Sequence, residues 1–286
     1  MNKFTITGFS DEISPDFQVQ LEEVTRLGIA YIEIRGVNGK NISEHTLEEV
    51  IEIKRQMEAK QVGVSAIGSP IGKINIKDDF PDHFKKFKHT VDIAKILNTK
   101  YIRLFSFFMD EGTWEVNRLE VMSRMKAMVK YAEEEGIILL HENEKEIYGD
   151  TPERCLDLFE SMNSPSFQLI FDPANFVQCQ VSTYPEAFDI LKDYVTYYHI
   201  KDAIMETGEV VPSGLGDGHL KEIISSIKDR AYEGFLSLEP HLGDFVGFSD
   251  LEGDDDSHKF SEASDASKFE LSYTSLMTII NSLEEA

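Results

Sequence analysis

Strand-like and helix-like segments alternate eight times along this chain, and that alternation limits its fold more than any other feature. Short hydrophobic runs at residues 4–9, 31–35, 63–67, 101–107, 137–142, 167–172, 196–200 and 235–239 read as strands. Between them apolar residues return at helical spacing, as at Phe17, Leu21 and Val24, or Met122, Met125 and Val129. Ser14-Pro15, Thr151-Pro152-Glu153 and Ser43 ahead of Thr46-Leu47 read as helix starts. Gly28, Gly63, Gly136 and Gly234 fall at or just before strand starts, where a glycine stops a helix or turns the chain. Strands separated by helices pair in parallel through crossovers. Eight such units predict an α/β fold, a closed (β/α)8 TIM barrel spanning residues 1–286 as one domain. An open doubly wound sheet holding a dinucleotide would carry a glycine-rich loop after its first strand, and Gly8-Phe9-Ser10-Asp11 is not one.

The formal charge of −24 would repel a phosphate backbone, so no nucleic-acid partner is expected. Hydrophobic runs are too short to span a bilayer, and the first residues read as a strand rather than a secretory signal. No membrane partner is expected, and the expected compartment is the cytoplasm. Cys155 and Cys179 are too few for a disulfide framework and read as buried thiols. Residues 243–267, with an acidic run at 250–256, read as a solvated loop ahead of a closing helix at 269–283. A calcium site is the sharper reading of that run, but a full EF-hand ligand loop is lacking.

Four of the predicted strands end in a potential metal ligand: Glu142, Asp172, His199 and Glu239. Catalytic groups of a barrel gather at the carboxyl ends of its strands, so these four are expected to converge. Their neighbours two residues earlier, Leu140, Ile170, Tyr197 and Ser237, should point inward too and fill the barrel below. Three carboxylates and one imidazole suit one fairly hard divalent ion. Mn2+ and Mg2+ lead, with Co2+ and Zn2+ next. Such an ion can polarise a carbonyl and its neighbouring hydroxyl, stabilising the enediolate formed when the adjacent proton leaves. Glu142 and Glu239 could then act as the acid/base pair.

At these residues the chain resembles the xylose isomerase-like barrel superfamily of sugar phosphate isomerases and epimerases. The matching segments are Glu142-Asn143, the run from Phe171 through Asp172 to Phe176, His199-Ile200-Lys201-Asp202, the glycine-rich run from Gly214 to Gly218, and Ser237-Leu238-Glu239-Pro240-His241. The resemblance implies a metal held by Glu142, Asp172, His199 and Glu239, with Glu142 and Glu239 catalytic. It implies a small-molecule carbohydrate partner and allows a homo-oligomer. Asn175 stands where many members carry a histidine that helps hold substrate. Endonuclease IV, a relative with three zinc ions, needs further histidines, where this chain has Ser65, Gly68, Arg103 and Phe105. The expected activity is isomerisation or epimerisation of a sugar, sugar phosphate or related polyol. The alternatives are a lyase of the inosose dehydratase kind and a non-catalytic sugar-binding barrel.

Other residues are candidates for holding substrate. Arg103 either binds a substrate phosphate or carboxylate or pairs with a strand neighbour, and Arg35 is expected to pair with Glu33. Lys73, in the loop after the third strand, either reaches the mouth or stays solvated. Lys201, His241 and Glu144 each lie two residues beyond a proposed ligand and should face the same way; Asn175 joins them. His141 should pack on the opposite face from Glu142. Trp114, Phe105, Phe107 and Phe108 form either a wall for a sugar ring or core packing.

Overall fold

The computed structural model describes residues 4–246 and 262–284. Its main sheet has eight parallel strands: β1 (Thr5–Gly8), β2 (Tyr31–Ile34), β3 (Gly63–Gly68), β4 (Tyr101–Leu104), β5 (Ile138–Glu142), β6 (Phe167–Phe171), β7 (Val195–Ile200) and β8 (Phe235–Leu238). Neighbours in sequence pair from β2 round to β8, and β8 returns to β1 with Thr5 opposite Phe235 and Gly8 opposite Leu238. The predicted barrel is present and nearly closed. Among the described residues β1 and β2 share no backbone ladder. Thr7 joins them instead: its hydroxyl donates to the carbonyl of Tyr31 across 3.0 Å and meets Ser65 Oγ at 2.8 Å.

Helices surround the strands: α1 (Phe17–Arg26), α2 (Leu47–Ala59), α3 (Phe80–Ile96), α4 (Trp114–Glu135), α5 (Pro152–Met162), α6 (Pro173–Gln178), α7 (Phe188–Leu191), α8 (Leu220–Asp229) and α9 (Ala266–Glu284). Thr151 caps α5 as expected, accepting from the Arg154 N–H. Two starts differ from the sequence reading. Asp16, rather than Ser14, caps α1, and Thr46, rather than Ser43, caps α2 in a reciprocal box with Glu49. Gly136 ends α4 at φ 71°, a conformation that favours glycine.

The fourth strand stops at Leu104, short of the predicted 107. There the backbone leaves the sheet: the N–H groups of Phe105, Phe107 and Phe108 go to the carbonyls of Ile71, Gly72 and Ile74. Two mouth loops are thereby tied together. The acidic run at 250–256, with its calcium reading, lies outside the described residues.

Core packing has two parts. Inside the barrel Ala66, Leu140, Ile170 and Tyr197 form one buried cluster, as the inward direction of the last three requires. Outside it, the helical stripes of Phe17, Leu21 and Val24 and of Met122, Met125 and Val129 are buried against the sheet. Each fully buried large apolar side chain contributes about 1.5–3 kcal/mol, so this shell is what fixes the strand ends in space. No helix among the described residues is long and apolar enough to cross a membrane.

Candidate active site

The four strand-end residues converge. Glu142 closes β5, Asp172 follows β6 and caps α6, His199 lies in β7, and Glu239 follows β8. One ligand atom from each falls within 4.8 Å of the others, and all four residues are buried. His199 sits at the centre, with Nδ1 2.9 Å from Glu142 Oε1, 3.2 Å from Glu239 Oε2 and 3.7 Å from Asp172 Oδ2. Its other nitrogen, Nε2, lies 3.2 Å from Glu33 Oε2.

Cations bracket the carboxylates. Lys201 Nζ is 3.0 Å from both Asp172 Oδ2 and Glu239 Oε2. Arg103 donates to Glu142 Oε2 at 3.1 Å and stands 3.7 Å from Glu239 Oε1. Arg35 does not pair with Glu33 as expected. It takes Asp11 in a two-pronged bond of 2.8 and 3.1 Å, Glu12 at 3.1 Å, and approaches Glu239 Oε1 at 3.6 Å. The reason is the crossing of the barrel: Glu33 faces the interior, where His199 and the Ser237 hydroxyl (2.7 Å) engage it, while Arg35, one pleat higher, meets the loop after β1.

Burial and charge together set the protonation states. Burial alone would lower the His199 imidazole, but Glu142, Glu33 and Glu239 raise it well above its ordinary value. Burial likewise opposes the charge on Lys201, which Asp172, Glu239 and Glu142 hold on the ammonium. Burial would lift Glu239, yet Lys201, His241 and His199 keep it well below the carboxylate range. Asp172 is pushed up to about 6 by burial, against the pull of Lys201 and His199.

The donor set fits a divalent cation. Asp172 Oδ2 is buried and accepts no aligned hydrogen bond, and Lys201 beside it supplies charge only. Three carboxylates and an imidazole around that oxygen are the chemistry of a metal cradle. Asn143 fixes the backbone on which Asp172 stands: its side chain donates to the Asp172 carbonyl and accepts the Asp172 N–H, each at 2.9 Å.

The remaining candidates lie at the same mouth. Asn175 donates to Glu142 Oε1 at 3.2 Å and to the Asn143 carbonyl at 2.9 Å, so in this structure it orients Glu142. His241 has a left-handed backbone (φ 43°), its N–H donates to Glu12 Oε2 at 2.7 Å, and its Nε2 lies 3.4 Å from Glu239 Oε1. Lys73 reaches inward, 3.1 Å from Glu144 Oε2 and over the ring of Phe105. The aromatic group divides. Phe105 lies under Arg103 and Lys73, Phe107 packs against Phe80 and His83, and Arg154 stacks on Trp114. His141 points away from the site to Ser106, and burial lowers its pKa to about 3. Cys155 is a buried thiol and Cys179 is half-buried.

Sequence reasoning did not find Asp11, Glu12 or the inward role of Glu33. Burial drives the Glu12 carboxyl up to about 8 despite Arg35. A sign was present in Glu33-Ile34-Arg35, where an acid and a base two residues apart share the inward face of a strand.

The chain matches a family model described as xylose isomerase-like TIM barrel over residues 21–262. Among curated proteins none matches it in sequence. Similar solved structures include the IOLI protein with a bound zinc atom (16% identity, TM-score 0.74, covering 98% of this chain and 99% of that one). A D-allulose 3-epimerase from Methylomonas sp., in complex with D-allulose, is 15% identical with a TM-score of 0.72 over 98% of each chain. The probable 3-DHS dehydratase AsbF from Bacillus anthracis is 19% identical with a TM-score of 0.66, covering 83% of this chain and 92% of that one. At these identities the likeness is one of fold.

Proposed function

Because the chain belongs to the family of xylose isomerase-like TIM barrels, we propose that it is a metal-dependent isomerase or epimerase of a sugar, sugar phosphate or related polyol. The observation that carries this reading is the placement of Glu142 and Glu239. Both are buried, both face His199 Nδ1 with one oxygen, and both face Arg103 with the other. Two carboxylates held on either side of one small volume suit removal of a proton from a carbon beside a carbonyl and its return elsewhere.

Glu142, Asp172, His199 and Glu239 would hold the ion, which when bound supplies Lewis acidity toward a carbonyl and its neighbouring hydroxyl. The chain's own groups do the rest. Lys201 and Arg103 place positive charge where an oxyanion would develop. Asn175 and Arg103 hold Glu142 beside His199, and Arg35 and His241 do the same for Glu239. The zinc of the IOLI structure and the D-allulose of the Methylomonas epimerase support a metal and a carbohydrate here. Mn2+ suits the oxygen-rich donors best.

A second reading is a lyase that makes the same proton abstraction and expels a β-hydroxyl. Asn175, in place of a histidine, and the fold shared with a probable dehydratase favour it. One experiment tests both. Metal-loaded protein is incubated in D2O with ketoses, their phosphates and inososes. The isomerase reading expects deuterium at the carbon beside the carbonyl with no change in mass otherwise. Loss of water selects the lyase, and absence of both exchange and water loss with every compound refutes the proton-transfer chemistry.

A further inference from the structure

We infer that Glu33, which lies on the opposite wall of the barrel, is a positioning residue for the metal centre and acts by fixing which nitrogen of His199 faces the ion. The inference rests on the reading of Glu142, Asp172, His199 and Glu239 as the metal cradle.

Glu33 is wholly buried in β2, and its Oε1 has no hydrogen-bond partner. A carboxylate in such a place is costly to desolvate unless it is paired. Core packing does not need it: the layer beside it is built of Ala66, Leu140, Ile170 and Tyr197. The acceptor oxygen, Oε2, is fully employed. Ser237 donates to it from β8 at 2.7 Å, and His199 Nε2 meets it from β7 at 3.2 Å.

The imidazole is thus held at both ends by carboxylates of different standing. Nδ1 faces the three-carboxylate cradle, and Nε2 faces a single acid that belongs to no cradle. Rings edge-on to the imidazole, Phe9 at 5.3 Å and Tyr197 at 5.9 Å between centroids, pack against it. Glu33 therefore keeps the hydrogen on Nε2 and leaves the Nδ1 lone pair for the ion. An anionic partner behind a ligating imidazole also makes it a stronger donor.

The test compares wild type, Glu33→Gln and Glu33→Leu, each stripped of metal and titrated with Co2+ while the visible absorption bands are followed. Glutamine retains an acceptor for the Nε2 hydrogen without the charge, and leucine removes both. Expected Kd values rise about tenfold in Glu33→Gln and about a hundredfold in Glu33→Leu. Nitrogen NMR of Zn2+-loaded protein should place the His199 hydrogen on Nε2 in wild type and in Glu33→Gln. If Glu33→Leu does not fold, the affinity and NMR spectrum of Glu33→Gln still decide. Co2+ affinity unchanged in the variants overturns this role while leaving the cradle intact. Wild type that binds neither Co2+, Mn2+ nor Zn2+ overturns the cradle, and this inference with it.

Discussion

Nη1 of Arg103 donates to Oε2 of Glu142 across 3.1 Å in a part of the barrel that solvent does not reach. The bond spans β4 and β5 and aims the carboxylate that the proposed chemistry uses. Removing the guanidinium would leave Glu142 Oε2 buried without its donor, while His199 and Asn175 remain on Oε1. Arg103→Met is expected to lower stability by about 3 kcal/mol, read by urea unfolding, and to slow substrate proton exchange at least a hundredfold. Arg103→Lys should fall between, because one ammonium cannot serve Glu142 and Glu239 in the same geometry. Unchanged exchange in Arg103→Met would remove it from the site.

Glu239→Gln and His199→Ala should each reduce bound metal. Elemental analysis of protein reconstituted with Mn2+ checks this. A tenfold or greater loss of affinity is expected for each, since each removes one of four donors. Full occupancy in both variants would show that the cradle is not a metal site.

Lys201 stands between Asp172 and Glu239 as the nearest positive charge to both. In Lys201→Met those carboxylates lose their nearest compensating charge, so metal-free protein should lose about 3 kcal/mol. A divalent ion should restore most of the loss. Thermal melts with and without Mn2+ would therefore show a larger metal-induced rise in the variant than in wild type; an equal rise would contradict it.

His83 gives a pH dependence away from the cradle. Its Nε2 accepts the Gly72 N–H at 2.8 Å, and burial, with Lys86 and Arg124 nearby, lowers its pKa from 6.5 to about 4. A histidine lowered on folding stabilises fully above its unfolded pKa. Stability is then lost as pH falls from about 6.5 toward 4, where the unfolded chain takes up a proton that the folded one refuses. The loss should amount to about 2–3 kcal/mol. His83→Gln should lessen the slope of unfolding free energy across that window, part of which His141 also supplies, and an unaltered slope would sink the assignment.

Asp202 organises the loop after β7. Oδ2 accepts from the N–H of Gly214 (2.8 Å) and Gly216 (3.0 Å), and Oδ1 from those of Gly218 (2.8 Å) and Ala203 (3.0 Å). Asn in its place turns one acceptor into a donor pointed at N–H groups. The expected cost is about 1–3 kcal/mol, with much faster amide exchange at Gly214 and Gly216. Exchange rates like those of wild type would mean the loop holds itself.

The barrel and the four strand-end residues were legible because both follow from local rules. Apolar spacing marks strands and helices, and alternation on a strand tells which side chains face in. What crosses the barrel was not legible. Glu33 and His199 are 166 positions apart, and period-2 alternation says that both point inward without saying that they meet. Arg35 failed for the same reason. Its acid partner within the strand was visible, whereas Asp11 and Glu12 reach it only once β1 and β2 are brought side by side. Strand 4 was overestimated because the hydrophobic run through Phe107 continues past the point where the backbone turns to bond the preceding loop.

The gap in the ladder between β1 and β2 gives the site a second duty. Thr7 fastens that seam within the barrel, and at its upper lip the Asp11–Arg35 pair bridges the loop after β1 to the end of β2. The same arginine leans on Glu239. Hoop strength and chemistry thus share one rivet, so a substitution at Arg35 or Asp11 loosens the cylinder as it disarms the mouth. Selection acting on either property is bound to act on both.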